Sequence, residues 1–466
     1  MTTMQEKTTR RSFLKAATAA SFVPYFFSSV KPLHATPAGD RLRVGCIGFG
    51  PRGIGDASAF SSVADVVALC DVDSEYGLPR ARAEAHIGRL NPAVYSDYRR
   101  MLDRRDIDIV CIATVDHWHV KMAIEALQAG KHVFCQKPMT LTVDEGRLLR
   151  QAVLKYPKLV FQVGSQQRSE KPRFAMAALM VRKGILGKIH KMTVCLGRGT
   201  VGGPFEKETP PASLDWNAWL GPCPYAEYIR ERSHRSFRRW YEYACGTITD
   251  WGAHHLDFVH WALDLEKPGD GPTRITPVKA VLPIPFKDGE PTLDNHFNTP
   301  VDFEFVCSYP NDVEVVVASQ TANGNGVFVE GSRGRINVNR GRITGRPMEE
   351  RWHEGVITEE DFVQLAHGQS FVTENEVEAR FNNSFLQSII HHKVNMIRCI
   401  RDGGTPLSEP LGQIQAMNTC HLCGIAARLG REIRWDPKAE RIIGDDQAAS
   451  HLAREARRGF EIPDVG

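Results

Sequence analysis

The sequence has little net charge, and this excludes one class of partner. Of its 466 residues, 58 are Lys or Arg and 55 are Asp or Glu. Residues 1–35 hold five of the basic residues and one of the acidic residues, so the rest of the chain is close to neutral. Such a chain has no electrostatic basis for binding nucleic acid or an anionic membrane surface. We therefore expect neither partner.

A hydrophobic run long enough to anchor the chain is also lacking. The apolar stretch at residues 16–30 is too short to span a bilayer comfortably. It follows the run TRRSFLK, which contains Arg10 and Arg11 and has the form of a twin-arginine export signal. We expect residues 1–35 to be that signal, used by the twin-arginine export machinery and removed near Ala35. The mature chain would then be periplasmic, with no stable membrane anchor; the alternative is a disordered basic tail.

The cysteines form no disulfide framework. There are eleven, an odd number without regular spacing. Cys46, Cys70, Cys111 and Cys135 each lie in an apolar run that predicts an inner strand, so we interpret them as buried small side chains. The run at 420–423, CHLC, resembles half of a metal knuckle, but no second pair accompanies it. We expect packing there and no metal.

What the sequence does contain is a glycine turn after a β-rich run. The segment at 41–53, RLRVGCIGFGPRG, places Gly48, Gly50 and Gly53 at the GxGxxG spacing that opens a dinucleotide-binding βαβ unit. Pro51 suits a first helical turn, and we include Pro51 and Arg52 among the expected cofactor-binding residues. Without its context the same pattern is compatible with an ordinary glycine-rich loop.

The context favours the dinucleotide site. The run VVALCDVD at 66–73 predicts a buried parallel strand with Asp71 near its end, eighteen residues after Gly53. An acidic residue near this spacing binds the ribose hydroxyls of NAD and repels the 2′-phosphate of NADP, so NAD is favoured over NADP. Strand-like runs at 107–114 and 132–135 follow, separated by a helix-like segment, as in a doubly wound parallel sheet. The alternative for Asp71 is a surface aspartate at a strand end.

The middle of the chain has a different pattern. Short alternating runs at 188–196 and 278–338, interrupted by Pro, Gly and Asn, indicate a largely antiparallel sheet. Two helices are predicted after it, at 383–401 and 411–429. No internal repeat or long low-complexity linker is present.

Two further segments could supply chemistry. Lys137 follows the predicted strand at 132–135, at the carboxyl edge where doubly wound sheets bind ligands. Asp250, His254 and Asp257 are spaced to share one helix face, and a carboxylate beside an imidazole would orient a general base. Taken alone, a lysine such as Lys137 is more often a surface residue. The spacing of Asp250 and the histidines is at least as compatible with a helix cap and core packing. A metal site using His254, Asp257 and His260 is a weaker alternative.

These residues resemble the Gfo/Idh/MocA group of dehydrogenases, which includes glucose–fructose oxidoreductase and inositol dehydrogenase. The resemblance runs through most of the chain after the signal, in the motifs GFGPRG, ATVDHWHVKMAIEALQAGKHVFCQKP, GSQQRS, WNAWLGP and DWGAHHLD. It implies an α/β protein with an N-terminal Rossmann doubly wound parallel sheet. A C-terminal α/β domain with a large, mostly antiparallel, open-faced sheet would follow, and this sheet often forms an oligomer interface. We accordingly expect the signal at 1–35, the NAD-binding domain at 40–165, the C-terminal substrate and oligomerisation domain at 166–440, and a tail at 441–466.

The resemblance also assigns site residues. It implies that Lys137, Asp250 and His254 are catalytic, and that Thr114, Asp116, His119 and Gln136 lie along the cofactor. The family usually has Glu where this chain has Gln136, so the lysine would lose a charged neighbour; Cys245 likewise replaces a common glycine. From their positions we also expect substrate contacts from Arg168, Arg238, Tyr243 and Asp257.

The resulting hypothesis is an enzyme that transfers a hydride between NAD and a secondary hydroxyl of a sugar or cyclitol. The cofactor would be tightly retained, since free NAD is scarce in the periplasm, and the protein would be a homo-oligomer, a dimer or tetramer. Two alternatives remain open. One is an NAD-requiring glycosidase or lyase that acts by transient sugar oxidation and elimination. The other is a non-catalytic sugar- or nucleotide-sensing protein.

Overall fold

The computed structural model describes residues 40–310, 312–373 and 384–465. The predicted export signal at 1–35 lies outside them. Within the described residues, no helix combines the length and apolar character needed to cross a membrane.

The first half of the described chain forms a parallel sheet of six strands in the order β3-β2-β1-β4-β5-β6. Its inner strands are continuous buried apolar runs, because helices cover both faces of such a sheet. The strand order reverses between β1 and β4, and ligands bind doubly wound sheets at such a reversal. The strands are β1 (Arg43–Ile47), β2 (Asp65–Cys70), β3 (Ala93–Tyr95), β4 (Ile109–Ile112), β5 (His132–Cys135) and β6 (Phe161–Val163).

The predicted strands at 66–73, 107–114 and 132–135 correspond to β2, β4 and β5. The sequence did not predict β3 or β6, which have three residues each and lie at the two edges of the sheet. Strands of three residues are too short to give the apolar run by which the inner strands were identified. The helices of this half are α1 (Pro51–Val63), α2 (Leu78–Ala83), α3 (Ala85–Gly88), α4 (Tyr98–Leu102), α5 (His119–Gln128), α6 (Val143–Lys155) and α7 (Met176–Arg182).

A second sheet has nine strands, and every neighbouring pair is antiparallel except β7 with β12. In β11 every second side chain is buried, as expected for a sheet with one face against a core. The fold class is therefore the predicted one. The strands are β7 (Ile189–Cys195), β8 (Arg274–Val281), β11 (Asp302–Ser308), β12 (Glu314–Ala318), β13 (Gly326–Gly331), β14 (Arg335–Val338), β15 (Ile343–Thr344), β16 (Ile433–Asp436) and β17 (Arg441–Ile442), with a separate hairpin of β9 (Phe286–Lys287) and β10 (Glu290–Pro291).

The later helices serve both sheets. Their bounds are α8 (Trp216–Leu220), α9 (Gly246–Asp250), α10 (Gly252–Leu263), α11 (Arg346–Glu349), α12 (Glu359–Leu365), α13 (Ser384–Asp402), α14 (Pro410–Leu429) and α15 (Asp446–Ser450). Helices α10 and α14 pack in the core of the second sheet. Helix α13 instead returns to the parallel sheet, where Ile390, Val394 and Ile397 join the core formed by β1 and α1.

The cysteines are packing residues, as predicted. All eleven are buried and free. Cys420 and Cys423 lie on α14 inside the core of the second sheet.

Candidate functional site

The turn between β1 and α1 has room for a phosphate only because of its glycines. Gly48 has φ +85°, and a Cβ there would lie 2.6 Å from the Thr114 Cα. A Cβ on Gly53 would lie 1.9 Å from the Gly48 carbonyl oxygen. At Gly50 a Cβ would meet no atom within 4 Å, so the backbone faces open space at the N-terminus of α1, which begins at Pro51. This geometry fits the pyrophosphate of a dinucleotide.

Asp71, the predicted ribose ligand, lies against the glycine turn. Its carboxylate accepts hydrogen bonds from the backbone N–H of Phe49, at 2.7 Å, and of Asp73, at 3.1 Å. Burial raises the pKa of Asp71 to about 6, although these hydrogen bonds lower it. The two oxygens keep acceptor capacity for hydroxyl groups, as the sequence hypothesis requires.

Two chambers that share part of their lining open above the carboxyl edge of the parallel sheet. The smaller, about 90 Å³, is lined by Gly48, Gly50 and Asp71. The larger, about 860 Å³, is lined by Asp116, Gln136, Lys137, Asp250 and His254, among others. The residues that line both are Pro51, Arg52, Ala113, Thr114, Arg235 and Arg238. A ligand bound along the glycine turn would thus extend directly into the chamber that holds the predicted catalytic residues.

Lys137 and Asp250 form an ion pair in the large chamber. The Lys137 Nζ donates to Asp250 Oδ1 at 2.5 Å and to the Asp250 carbonyl oxygen at 2.7 Å. Arg238 Nε lies 3.4 Å from the same carboxylate oxygen. Burial by itself would raise the pKa of Asp250, but Lys137 and Arg238 lower it to about 2. Burial lowers the pKa of Lys137, and Asp250 opposes that shift.

His254 is in the chamber, but it is not held by Asp250 as the sequence reading expected. The helix is interrupted at Trp251, so Asp250 ends α9 while His254 belongs to α10. Among the described residues the Asp250 carboxylate contacts Lys137 and Arg238, and the buried Nδ1 of His254 has no hydrogen-bond partner. Burial, with Arg340 and Lys137 nearby, holds the pKa of His254 well below its usual range. The imidazole is therefore neutral near pH 7, which is the form that a general base requires, and the lowered pKa makes it a weaker base than a free imidazole.

Thr114, Asp116 and His119 follow β4, as predicted, but they differ in exposure to the chamber. Thr114 and Asp116 line it, and burial raises the pKa of Asp116 to about 7. His119 is buried behind them, with Nδ1 2.7 Å from the Pro138 carbonyl oxygen and Nε2 3.3 Å from that of Thr114. His119 thus connects the loop after β4 to the loop after β5.

Gln136 takes part in a buried network centred on Asp56, a residue the sequence reading did not identify. Gln136 Nε2 donates to Asp56 Oδ2 at 2.7 Å, and Arg52 donates to both carboxylate oxygens at 3.1 Å. Lys393 on α13 donates to Asp56 Oδ1 at 2.8 Å. Gln136 therefore donates to a carboxylate that Arg52 and Lys393 already pair, while the carboxylate beside Lys137 is that of Asp250. In the sequence, the only feature that could have identified Asp56 is an acidic residue on the inner face of the helix α1.

Arg168, Asp257 and Tyr243, from which we expect substrate contacts, do not line the large chamber. The Arg168 Nε donates to Asp257 Oδ2 at 2.9 Å, and Glu266 binds the other end of the guanidinium at 2.6 Å. Both members of the Arg168–Asp257 pair are 1% exposed. Tyr243 is buried against Trp219 and Arg232. The charged groups of Arg168, Asp257 and Glu266 therefore pair with one another, which sequence spacing did not reveal. Arg238, the fourth residue expected to contact substrate, does line the chamber.

Several lining residues were not predicted as site residues, although Ala113, Gln166 and Trp251 lie in motifs named above. Arg235 and Arg239 belong to the basic run RSFRRW, a recognisable signal, whereas Arg340 follows β14 without one. The others are Ala113, Gln166, Gly199, Thr200, Ser236, Gly246, Thr247, Trp251 and Thr299. In the described ranges no group of three His, Cys, Asp or Glu side chains is arranged to hold a metal ion.

Comparison with known proteins gives matches along most of the described chain. The NAD-binding Rossmann-fold model of the Gfo/Idh/MocA oxidoreductase family matches residues 42–165, and its C-terminal alpha/beta domain model matches residues 181–344.

Curated relatives match over a shorter range. A glycosyl hydrolase family 109 protein 2 of Shewanella sp. (strain ANA-3) is 44% identical over 161 residues, which are 29% of this chain and 35% of that one. A glycosyl hydrolase family 109 protein of Shewanella sp. (strain W3-18-1) is 34% identical over 208 residues, covering 39% and 44%. The chain therefore spans between about a third and a half of the length of these relatives.

Solved structures match over most of the chain at low identity. A levoglucosan dehydrogenase in complex with NADH and L-sorbose is 17% identical, with a TM-score of 0.56 and coverage of 84% and 98%. The WlbA dehydrogenase from Bordetella pertussis, in complex with NADH and UDP-GlcNAcA, is also 17% identical, with a TM-score of 0.55 and coverage of 85% and 99%. At these identities the likeness shows a common fold.

Proposed function

The chain belongs to the Gfo/Idh/MocA family of NAD-dependent oxidoreductases, and on that premise we propose that it oxidises a secondary hydroxyl of a sugar or cyclitol. One observation carries the proposal: the Lys137 ammonium and the neutral imidazole of His254 line the same chamber, directly beyond the glycine turn. A proton acceptor and a fixed cation are what hydroxyl oxidation requires.

The roles of the residues follow from their charges. His254 takes the hydroxyl proton, and Lys137 stabilises the negative charge that develops on the oxygen. Asp250 holds the lysine in place through its 2.5 Å contact. NAD supplies the acceptor for the hydride that leaves the same carbon. The products are a carbonyl compound, NADH and one proton, which His254 releases.

Substitution of Lys137 by Ala tests this assignment. We expect Lys137→Ala to abolish NADH formation while NAD affinity stays within about threefold, because the glycine turn and Asp71 are unchanged. The measurements are absorbance at 340 nm across a panel of sugars and cyclitols, and calorimetric titration with NAD. Lys183→Ala, a substitution at a half-exposed lysine paired with Asp361, is the control. Turnover retained in Lys137→Ala would remove the lysine from the mechanism.

A second candidate is an NAD-requiring glycosidase, favoured by the names of the family 109 relatives. Oxidation at one ring carbon acidifies a neighbouring C–H, elimination then breaks the glycosidic bond, and the hydride returns after water is added. NAD is not consumed in this cycle. Release of nitrophenol from aryl glycosides without a net change at 340 nm would favour it. NADH accumulation with free sugars would favour the oxidoreductase.

The proposal includes export with a retained cofactor. The twin-arginine pathway carries folded proteins, so NAD bound in the cytoplasm would leave with the enzyme and be recycled in place. We expect Arg10→Lys/Arg11→Lys to keep the protein in the cytoplasm and the unaltered protein to reach the periplasm with nucleotide bound. Fractionation, followed by denaturation and identification of the released nucleotide, measures both. Apo protein in the exported fraction would contradict cofactor retention.

The open face of the nine-stranded sheet is proposed to join copies of the chain. Val278 on β8 is 61% exposed and Val281 is 42% exposed. We expect a dimer or tetramer by light scattering, and Val278→Glu to weaken it. A monomer at all concentrations would overturn this part.

A further inference from the structure

The large chamber is strongly basic. Two acidic side chains line it, Asp116 and Asp250, and burial raises the pKa of Asp116 to about 7, so its negative charge is incomplete near neutrality. Against these stand six basic side chains: Arg52, Lys137, Arg235, Arg238, Arg239 and Arg340.

Part of this positive charge is balanced within the protein. Arg52 pairs with Asp56, and Lys137 and Arg238 share Asp250. Arg239 differs, since its guanidinium lies over the Phe297 ring, 4.9 Å from the centroid. Burial and the repulsion from Arg235 lower the pKa of Arg239, and no carboxylate opposes that shift. Like charges held together in this way favour an anionic ligand.

The dinucleotide accounts for only some of these arginines. Arg52 and Arg235 line both chambers, so they are placed to face the pyrophosphate near Gly50. Arg239 and Arg340 line the large chamber and are absent from the lining of the small one. Arg340 lies over the Trp251 ring, 4.5 Å from its centroid, and near enough to His254 to lower the pKa of that imidazole. Arg340 therefore faces the substrate end of the site.

We propose that the substrate carries an anionic oxygen group, a carboxylate or a phosphate ester, which Arg239 and Arg340 bind. The planar guanidinium, with its several N–H donors, suits both groups. Neutral hydroxyl donors line the same chamber at Thr200, Thr247 and Thr299 and would bind the remainder of the sugar. The inference rests on the proposed function, since it assumes that the substrate occupies the chamber of Lys137 and His254.

Binding to the full chain tests the proposal without requiring turnover. Glucose, galactose, their uronates and their 6-phosphates are titrated calorimetrically into the NADH-loaded protein at low salt. We expect one anionic series to bind about tenfold or more tightly than its neutral parents, and Arg239→Gln to remove most of that preference. Affinity for NADH and for the neutral sugars stays within about threefold. Arg346→Gln, at a surface arginine paired with Glu350, is the matched control and should change nothing.

The outcomes separate the sources of the anion. Tighter binding of uronates identifies a carboxylate, and tighter binding of 6-phosphates identifies a phosphate ester. Neutral sugars that bind as well as both anionic series, no binding by either series, or an equal loss for all ligands in Arg239→Gln would overturn the proposal. A loss of NADH affinity in that variant would assign Arg239 to the cofactor instead. NADH formed from neutral sugars alone would refute the anionic substrate but leave the proposed oxidation intact.

Discussion

Lys393 lies outside every sequence motif, and its replacement by Met is expected to destabilise the protein strongly. The Lys393 Nζ and Asp56 Oδ1 are 2.8 Å apart, and both side chains are 0% exposed. The ammonium also lies 3.1 Å from the centroid of the Phe134 ring. Removal of one partner of a buried ion pair typically costs about 3–5 kcal/mol, because the remaining charge stays buried. Arg52 still contacts Asp56, so we expect about 3 kcal/mol.

The pH dependence gives a second signature of this pair. In the unaltered protein burial raises the pKa of Asp56, but Arg52 and Lys393 outweigh it and lower that pKa. Without Lys393, only Arg52 and Gln136 oppose the effect of burial, and we expect the folded-state pKa of Asp56 to rise above its unfolded value. When the pKa of an acidic group is higher in the folded state than in the unfolded state, the folded protein loses stability as the pH increases from the unfolded-state pKa to the folded-state pKa. The deficit of Lys393→Met is therefore larger at pH 8 than at pH 5.

Chemical denaturation at both pH values, followed by fluorescence and circular dichroism, measures the deficit. The double variant Asp56→Asn/Lys393→Met removes both charges and should recover most of the loss. A single variant within about 0.5 kcal/mol of the unaltered protein, or a double variant less stable than the single one, would refute the reasoning.

Two further substitutions address the cofactor and the acid near it. Asp71→Ser should weaken NAD binding about 10- to 100-fold, because it removes a charged acceptor for the ribose hydroxyls. It should also reduce the preference for NAD over NADP, because the carboxylate that repels the 2′-phosphate is gone. Titration with both nucleotides measures both effects, and an unchanged preference for NAD would contradict the role of Asp71. Asp116 has a folded pKa of about 7, so it costs stability as pH rises from about 4 to 7. Asp116→Asn should therefore raise the free energy of unfolding by about 2–4 kcal/mol at pH 8 and very little at pH 4, and an equal effect at both pH values would contradict the shift.

Local sequence was sufficient to predict a feature where one short segment contains both the sequence pattern and the structure that the pattern forms. The glycine turn requires residues without a Cβ, and Gly48, Gly50 and Gly53 show this directly. The buried runs of β2, β4 and β5 are continuous and apolar because both faces are covered. Lys137 and Asp71 were found because strand ends of a parallel sheet meet at one edge. The alternating middle segments likewise predicted a second, mainly antiparallel sheet.

Contacts between distant segments could not be read from spacing. Helix spacing predicted Asp250 beside His254, but the Asp250 carboxylate pairs instead with Lys137, 113 residues earlier. Arg168 and Asp257 looked like substrate contacts, yet they neutralise each other in the core. In both cases the sequence contains several possible ion-pair partners for one charged group, and the fold determines which of them is buried beside it.

The sequence by itself determined the parallel sheet and the glycine turn, because strand burial and glycine geometry are local requirements. It also determined which types of side chain, a lysine, a carboxylate and an imidazole, are available for catalysis. Only the tertiary structure decided which charges meet. It placed Lys393 of α13 under the nucleotide-binding turn through Asp56, and it brought Arg239 and Arg340 to one chamber. A buried charge needs a partner wherever the chain can supply one, and that choice depends on how the whole chain folds.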